Sequence, residues 1–225
     1  MAALAVVCTG GGQTSEGSTV FKGDNVPGGI NYTWSVTMGA GDSATLINTV
    51  GGWGWDQDGS DPGTKGWTHN SNWIALTLEQ PAVITMTFQS EAGVPDPGDP
   101  ESFAGTALIP GFSLYSGLEN SAMMVHHEYA NTGAIFWAPG LTYINGGAAS
   151  APVQFLQASF TLPAGVYTVA FGGAAPIQDE DIPQGYRASF TTTAVPEPGA
   201  AFSALAGCAA LLGFRRSRRT AIAHC

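Results

Sequence analysis

Charge and cysteine are what this sequence has least of. Of its 225 residues only 11% are charged, with seven Lys and Arg against 17 Asp and Glu, and only three are cysteines. Soluble domains usually carry roughly 25% charged residues, so the polar surface has to come from Ser, Thr, Asn, Gln and backbone. That argues against a long helical protein laced with ion pairs. A net charge of -10 repels phosphate and leaves no basic face to release counterions, which argues against nucleic acid as a partner. Cys8, Cys208 and Cys225 lie towards the ends, so residues 9–207 hold no thiol. Neither a disulfide framework nor thiol chemistry is available to the body. The sequence also lacks a Gly-x-Ser-x-Gly elbow, a phosphate-binding loop and a dinucleotide fingerprint, so nothing in it supports an enzyme.

What charge there is falls unevenly. Every acidic residue lies at or before Glu197, and up to that point the only basic side chains are Lys22, Lys65 and Arg187. Four of the seven basic residues, Arg215, Arg216, Arg218 and Arg219, crowd into five positions near the C-terminus. The body is a polyanion followed by a cationic end.

Between about Tyr32 and Thr192 the governing signal is period two, punctuated by Gly and Pro. In the run Trp73–Leu78 the large apolar residues Ile74, Leu76 and Leu78 alternate with smaller ones, which predicts a strand with one buried face. The run Ala82–Phe88 sets Ile84, Met86 and Phe88 on one side and Val83, Thr85 and Thr87 on the other, with Pro81 marking a turn before it. Further strands are predicted at Tyr32–Met38, Phe112–Tyr115, Phe155–Phe160, Val166–Phe171 and Tyr186–Thr191. Inward positions are Leu156, Ala158 and Phe160, then Tyr167, Val169 and Phe171, then Tyr186, Ala188 and Phe190, with a turn at 162–165. Long connections rich in Gly, Pro, Asp and Asn are expected at Gly39–Asn72, Gln89–Gly111 and Ser116–Pro152. Short strands without helical periodicity predict an all-β fold, an antiparallel, jelly-roll-like β-sandwich.

The two ends read differently from the body. Residues 1–13, MAALAVVCTGGGQ, look like the last part of a secretory hydrophobic region without its cationic beginning, or else a disordered alanine-rich start. The first reading places the true start codon upstream. Residues 199–214 hold no charge, and as a helix they would span about 24 Å at ~1.5 Å per residue, a little less than the ~30 Å hydrocarbon core. The organisation expected is therefore residues 1–20 as a signal remnant and flexible start, 21–193 as the sandwich, 194–219 as a motif, hydrophobic helix and Arg cluster, and 220–225 as a short tail.

The sequence Val195-Pro196-Glu197-Pro198, followed by that apolar segment and by Arg215, Arg216, Arg218 and Arg219, closely resembles the PEP-CTERM sorting signal of Gram-negative bacteria. Each part has a physical task. The prolines remove backbone donors and keep the motif extended for a protease groove, the helix parks the precursor in the bilayer, and the arginines hold its end on the cytoplasmic side. The resemblance implies export through the Sec machinery, transient tethering in the inner membrane, and removal of the tail by an exosortase, a membrane-embedded cysteine transpeptidase. The alternative is a permanent single-pass anchor. The tail departs from the family in running on through Thr220–Cys225. More loosely, strand 82–88, the phrase at 110–117 and the phrase at 162–173 resemble bacterial pre-peptidase C-terminal sandwiches, which are generally ancillary, non-catalytic modules.

Three groups of residues could carry chemistry. Asp56, Asp58 and Asp61 in a Gly-containing loop offer alternating oxygen ligands suited to Ca²⁺; they do not complete an EF-hand, because Asp61 stands where Gly belongs and Trp67 where Glu belongs. The loop is a calcium site of another geometry or a solvated Asp-Gly turn, and a second acidic run at 179–181 reads as a solvent-facing loop. His126, His127 and Glu128 suggest metal binding, but adjacent residues on an extended chain point to opposite faces and the zincin pattern is not completed; a structural or surface role is the reading adopted. His69 is open in the same way, a structural or surface residue or a cap on the acidic loop. Trp53, Trp55, Trp67 and Trp73 fall within 21 positions, and Trp53 and Trp55 are either a glycan-stacking platform or core packing at the sandwich mouth. Taken together, the sequence predicts a non-enzymatic exported protein of the cell surface or extracellular matrix, with exopolysaccharide as a partner. The alternative is a carbohydrate-binding module or a hydrolase acting on matrix glycans.

Overall fold

A computed structural model describes residues 13–22, 30–56, 65–99, 101–119, 128–151, 155–174 and 182–195. Among these residues the fold is all-β: two large sheets packed face to face, with a two-stranded ladder beside them. The first sheet has five strands in the order β1 (Gln13–Glu16), β4 (Ser43–Val50), β13 (Gln184–Ala194), β7 (Ala82–Ser90) and β11 (Leu156–Leu162). The second has six, in the order β10 (Thr142–Ala148), β8 (Pro110–Ser116), β12 (Gly165–Gly173), β6 (Asn72–Leu78), β3 (Trp34–Met38) and β2 (Thr19–Lys22). The small ladder pairs β5 (Lys65–Trp67) with β9 (Glu128–Ala130).

The predicted inward residues form the core between the sheets. Ile84, Met86 and Phe88 from β7 and Ala188 and Phe190 from β13 are fully buried, and Phe88 stacks on Phe171 at 4.7 Å and on Phe112 at 5.4 Å across the sheet gap. The turns predicted at Pro81 and at 162–165 are present, and each links a strand of one sheet to a strand of the other. At these turns the chain arches from sheet to sheet instead of forming hairpins, which sets strands distant in sequence side by side.

Four expectations need correction. The sandwich is not wholly antiparallel: β3 runs parallel to β6, a consequence of a connection that leaves the second sheet, builds β4 in the first, and returns. Of the stretch 1–20 expected to be a signal remnant and flexible start, residues 13–16 and 19–20 belong to the sandwich, because β1 pairs with β4 and β2 with β3, while 1–12 lie outside the described residues. The stretch Gly39–Asn72 is not simply a connection, since β4 lies in it, between β1 and β13; Ser, Thr and Asn positions and the outward Ile47 hide its alternation. Likewise β10 lies inside the stretch 116–152 as an edge strand, mostly exposed or half-buried and so without a burial signal.

One further difference bears on function. The strand predicted from Trp73 to Leu78 to have one buried face has two: Ile74, Leu76 and Leu78 face the other sheet, while Trp73 and Ala75 are buried on the opposite side. There Tyr32, Tyr115 and Ala170 join them beneath a cover of Tyr129, Ile135, Trp137, Ala138 and Leu141. The second sheet is therefore the middle layer of a three-layer region.

Candidate functional site

The tryptophan-rich segment after β4 folds back over the end of the second sheet. Trp55 and Asp56 donate their backbone N–H groups to Gly173 O at 2.9 and 3.0 Å, Gly173 returns one to Gly51 O at 3.1 Å, and Trp67 donates to Gly54 O at 2.9 Å. This lays the Trp55 ring over Gly111, where a Cβ would stand 2.6 Å from the ring carbons; only glycine leaves room for the indole. Trp55 is buried, and its Nε1 donates to Ser113 Oγ at 2.8 Å. A ring enclosed in this way presents no face to a sugar, so of the two sequence readings for Trp55 the structure shows the core one. Trp53 is half-buried, and its indole N–H is enclosed without a hydrogen-bond partner among the described residues. Trp73 packs edge-on against Tyr129 at 4.9 Å.

Around Trp55 lies a polar interior that sequence reasoning missed. Ser113 donates onward to Asn131 O, and Asn131 Nδ2 donates to Trp55 O at 2.6 Å. Asn131 is fully buried and its Oδ1 has no hydrogen-bond partner among the described residues. Ser71 Oγ donates to Gly54 O and sits 3.3 Å from Tyr129 Oη. Burial pushes the Tyr129 phenol well above its ordinary value, because an anion there would lose its hydration without gaining a cation.

A second polar chain crosses the sandwich nearby. Trp34 Nε1 donates to Tyr186 Oη at 2.8 Å, and Tyr186 Oη donates to Asn72 Oδ1 at 3.2 Å. Asn48 Nδ2 donates to the same oxygen at 3.1 Å, while Asn72 Nδ2 donates to Thr49 O at 2.9 Å. Lys22 Nζ donates to Asn48 Oδ1 at 3.2 Å and lies 5.5 Å from the centre of the Trp34 ring. Both ends of the Asn72 amide are thus engaged, which fixes its orientation.

Asn72 also forms part of an open cleft of about 330 Å³, lined by Thr49, Val50, Gly51, His69, Asn70, Pro97 and Pro183. His69 and Asn70 belong to a short 3-10 turn, Thr68–Asn70, that joins β5 to β6. Gly51 donates to Asn70 O at 2.9 Å, and a Cβ on Gly51 would stand 2.5 Å from Asn70 Cβ and 2.9 Å from its Cγ. Glycine there lets the turn close against β4.

The remaining predicted site residues are distributed as follows. Asp56 is half-buried beside Gly173; Asp58 and Asp61 lie outside the described residues, as do the acidic run 179–181 and His126 and His127. No group of three or more His, Cys, Asp or Glu among the described residues could hold a metal ion. Glu128 forms a solvent-exposed ion pair with Lys65 at 3.5 Å, a kind of contact worth roughly 0–1 kcal/mol. Val195 follows directly on β13; Pro196, Glu197, Pro198, Arg215, Arg216, Arg218 and Arg219 lie outside the described residues. Among the described residues no helix is long and apolar enough to cross a membrane.

No family model matches the chain, and no curated protein matches its sequence. Similar solved structures include CorA, a surface-associated copper-binding protein of Methylomicrobium album BG8, at 15% identity over 70% of this chain and 98% of that one, with a TM-score of 0.47. They also include MopE, a secreted copper-binding protein of Methylococcus capsulatus, at 12% identity over 67% of this chain and 84% of that one, with a TM-score of 0.37. The pre-peptidase C-terminal domain of a Bacillus anthracis collagenase is similar at 12% identity over 70% and 94% of the two chains, with a TM-score of 0.33.

Proposed function

We propose that this chain is a non-enzymatic protein exported through the Sec machinery to the surface or polysaccharide matrix of a Gram-negative cell, held briefly in the inner membrane and released by an exosortase. The observation that carries the reading is the order of three elements at the C-terminus: Val195-Pro196-Glu197-Pro198, a charge-free run over 199–214, and the cluster Arg215, Arg216, Arg218 and Arg219. An apolar run closed by arginines tethers a polyanionic body with its cationic end retained in the cytoplasm. The Pro-Glu-Pro motif follows the end of β13 at Ala194, so cleavage there would leave every strand of the sandwich intact. The test is replacement of Pro196, Glu197 and Pro198 by alanine in the native host. Loss of the surface-exposed form and build-up of an uncleaved membrane form are expected; unchanged surface delivery would contradict the reading.

A second reading is favoured by one observation on the small ladder. Trp67 of β5 pairs with Glu128 of β9; His69 stands two residues after Trp67, and His126 and His127 immediately precede Glu128 in sequence. The pairing sets Glu128 across from Trp67, two residues before His69, and imidazole together with a carboxylate suits a first-row divalent ion such as Cu²⁺. Titration with Cu²⁺ followed by tryptophan fluorescence is expected to show saturable quenching that is lost in His69→Ala and in the His126→Ala, His127→Ala double variant. Quenching that is unaffected by either variant would reject this site.

A further inference from the structure

We infer that the cleft between the end of β4, the Thr68–Asn70 turn and Pro97 and Pro183 is a binding site for a neutral saccharide unit. Its volume of about 330 Å³ falls at the lower end of the roughly 300–1,000 Å³ typical of small-molecule sites. Among the described residues that line it there is no Asp, Glu, Lys or Arg, and the one titratable side chain is His69, in a body whose side-chain charge is otherwise overwhelmingly negative. A cation would find no carboxylate among these residues and would lose hydration on entry, while an anion would approach against the net negative charge of the body. A ligand with no polar groups is disfavoured as well, because the Asn70 amide would be left without a partner beneath it.

The chemistry that matches both halves of the lining is a sugar ring. Its hydroxyls donate and accept, as amides do, and its C–H faces can lie against Val50 and the two prolines. The polar half is prepared for this. Asn72 is held by hydrogen bonds to Asn48, Tyr186 and Thr49, so its position is fixed before any ligand arrives, which lowers the ordering cost of binding. Asn70 is fixed through its backbone to Gly51, while its side-chain amide makes no hydrogen bond to the described residues and so can bond a ligand. A sugar contact, one of the two readings of Trp53 and Trp55, is thereby assigned to the cleft next to them, lined by amides and prolines. The inference does not depend on export, since the cleft belongs to the folded body.

The experiment is a set of ¹⁵N–¹H correlation spectra of the full chain titrated with cellobiose, maltose and N-acetylglucosamine, with glucuronate as a charged control. Saturable shifts are expected for at least one neutral sugar at the Gly51 backbone and the Asn70 and Asn72 side-chain amides, with a weaker response to glucuronate. Asn70→Leu, which keeps volume and removes the amide, is expected to weaken binding up to about tenfold, as one net hydrogen bond would. The Thr191→Val variant, on the far face of the first sheet, is expected to bind as the parent does. The inference is overturned if no neutral sugar gives a saturable shift, if the shifts map away from the cleft, if glucuronate binds as well as the neutral sugars, or if Asn70→Leu binds unchanged. Because the map on the parent chain stands by itself, a variant that fails to fold does not remove the test.

Discussion

The two sheets share one core but have opposite outer faces. On the first sheet, the outward residues of β7 and β13 include Thr85, Thr87, Ser189 and Thr191, all half-buried or exposed, with Thr85 hydrogen-bonded to Ser159 of β11 at 2.8 Å. On the second sheet, the outward residues Trp73, Ala75, Tyr115 and Ala170 are buried beneath a further apolar layer. A chain with few charges can make a soluble surface from hydroxyls on one side and hide an additional hydrophobic layer on the other. The tryptophans and tyrosines go largely into that layer and into the folded-back segment around Trp55.

The sharpest way to break this contrast is to place a carboxylate on each face. Ala170→Asp, under the cover layer, is expected to cost about 3–5 kcal/mol as a buried charge without a partner. Thr87→Asp, facing outward on β7, should stay within roughly 0.5 kcal/mol. Urea unfolding of both variants measures the difference, and equal costs would show that the two outer faces are alike. Next in size is the polar chain between the sheets: Asn72→Leu removes the acceptor that the Tyr186 hydroxyl and Asn48 Nδ2 share and should cost about 1–3 kcal/mol by the same measurement.

The pH dependence separates the faces again. Burial raises the phenols of Tyr115, Tyr129 and Tyr186 above their ordinary value. Since the unfolded phenols ionise near ~10, the stability they contribute is complete below that pH and is lost as pH climbs from there towards the folded values. The urea midpoint should therefore fall steeply above about pH 10; a flat profile to pH 11 would contradict the burial of these rings. The smallest effect belongs to the outer face of the first sheet. Arg187 donates from Nε and Nη2 to Glu91 at 2.9 and 2.7 Å and lowers the Glu91 carboxyl. A lowered carboxylate stabilises above its unfolded value, near ~4.3, and the gain fades as pH falls through the folded one. Arg187→Gln should cost about 0.2–1 kcal/mol at neutral pH, and the difference from the parent should shrink in acid.

Strands with one wet face were readable because their chemistry alternates: β7 and β13 display Ile, Met, Phe and Ala inward and Thr, Ser or Arg outward. The same reading assigned β6 a single buried face, since period two cannot register that Trp73 and Ala75 are covered by residues more than fifty positions away. The strands β4 and β10 escaped for the opposite reason, being rich in Ser, Thr, Asn or Gly. Turn residues marked where the chain reverses but not which sheet it enters next, so the parallel β3–β6 pair had no local signature. At the site, the clustering of four tryptophans was visible, whereas the burial of Trp55 depends on Gly111 and Ser113, which it meets only in the folded state. The cleft could not be read at all, because its lining comes from four separate stretches of chain.

The most direct test of the account is the intact mass of the protein recovered from its native host together with the sequence of its C-terminus. The account predicts a surface or matrix form that ends upstream of the 199–214 run and lacks Arg215, Arg216, Arg218 and Arg219. A mature chain that still carries those arginines in a stable membrane fraction would contradict it.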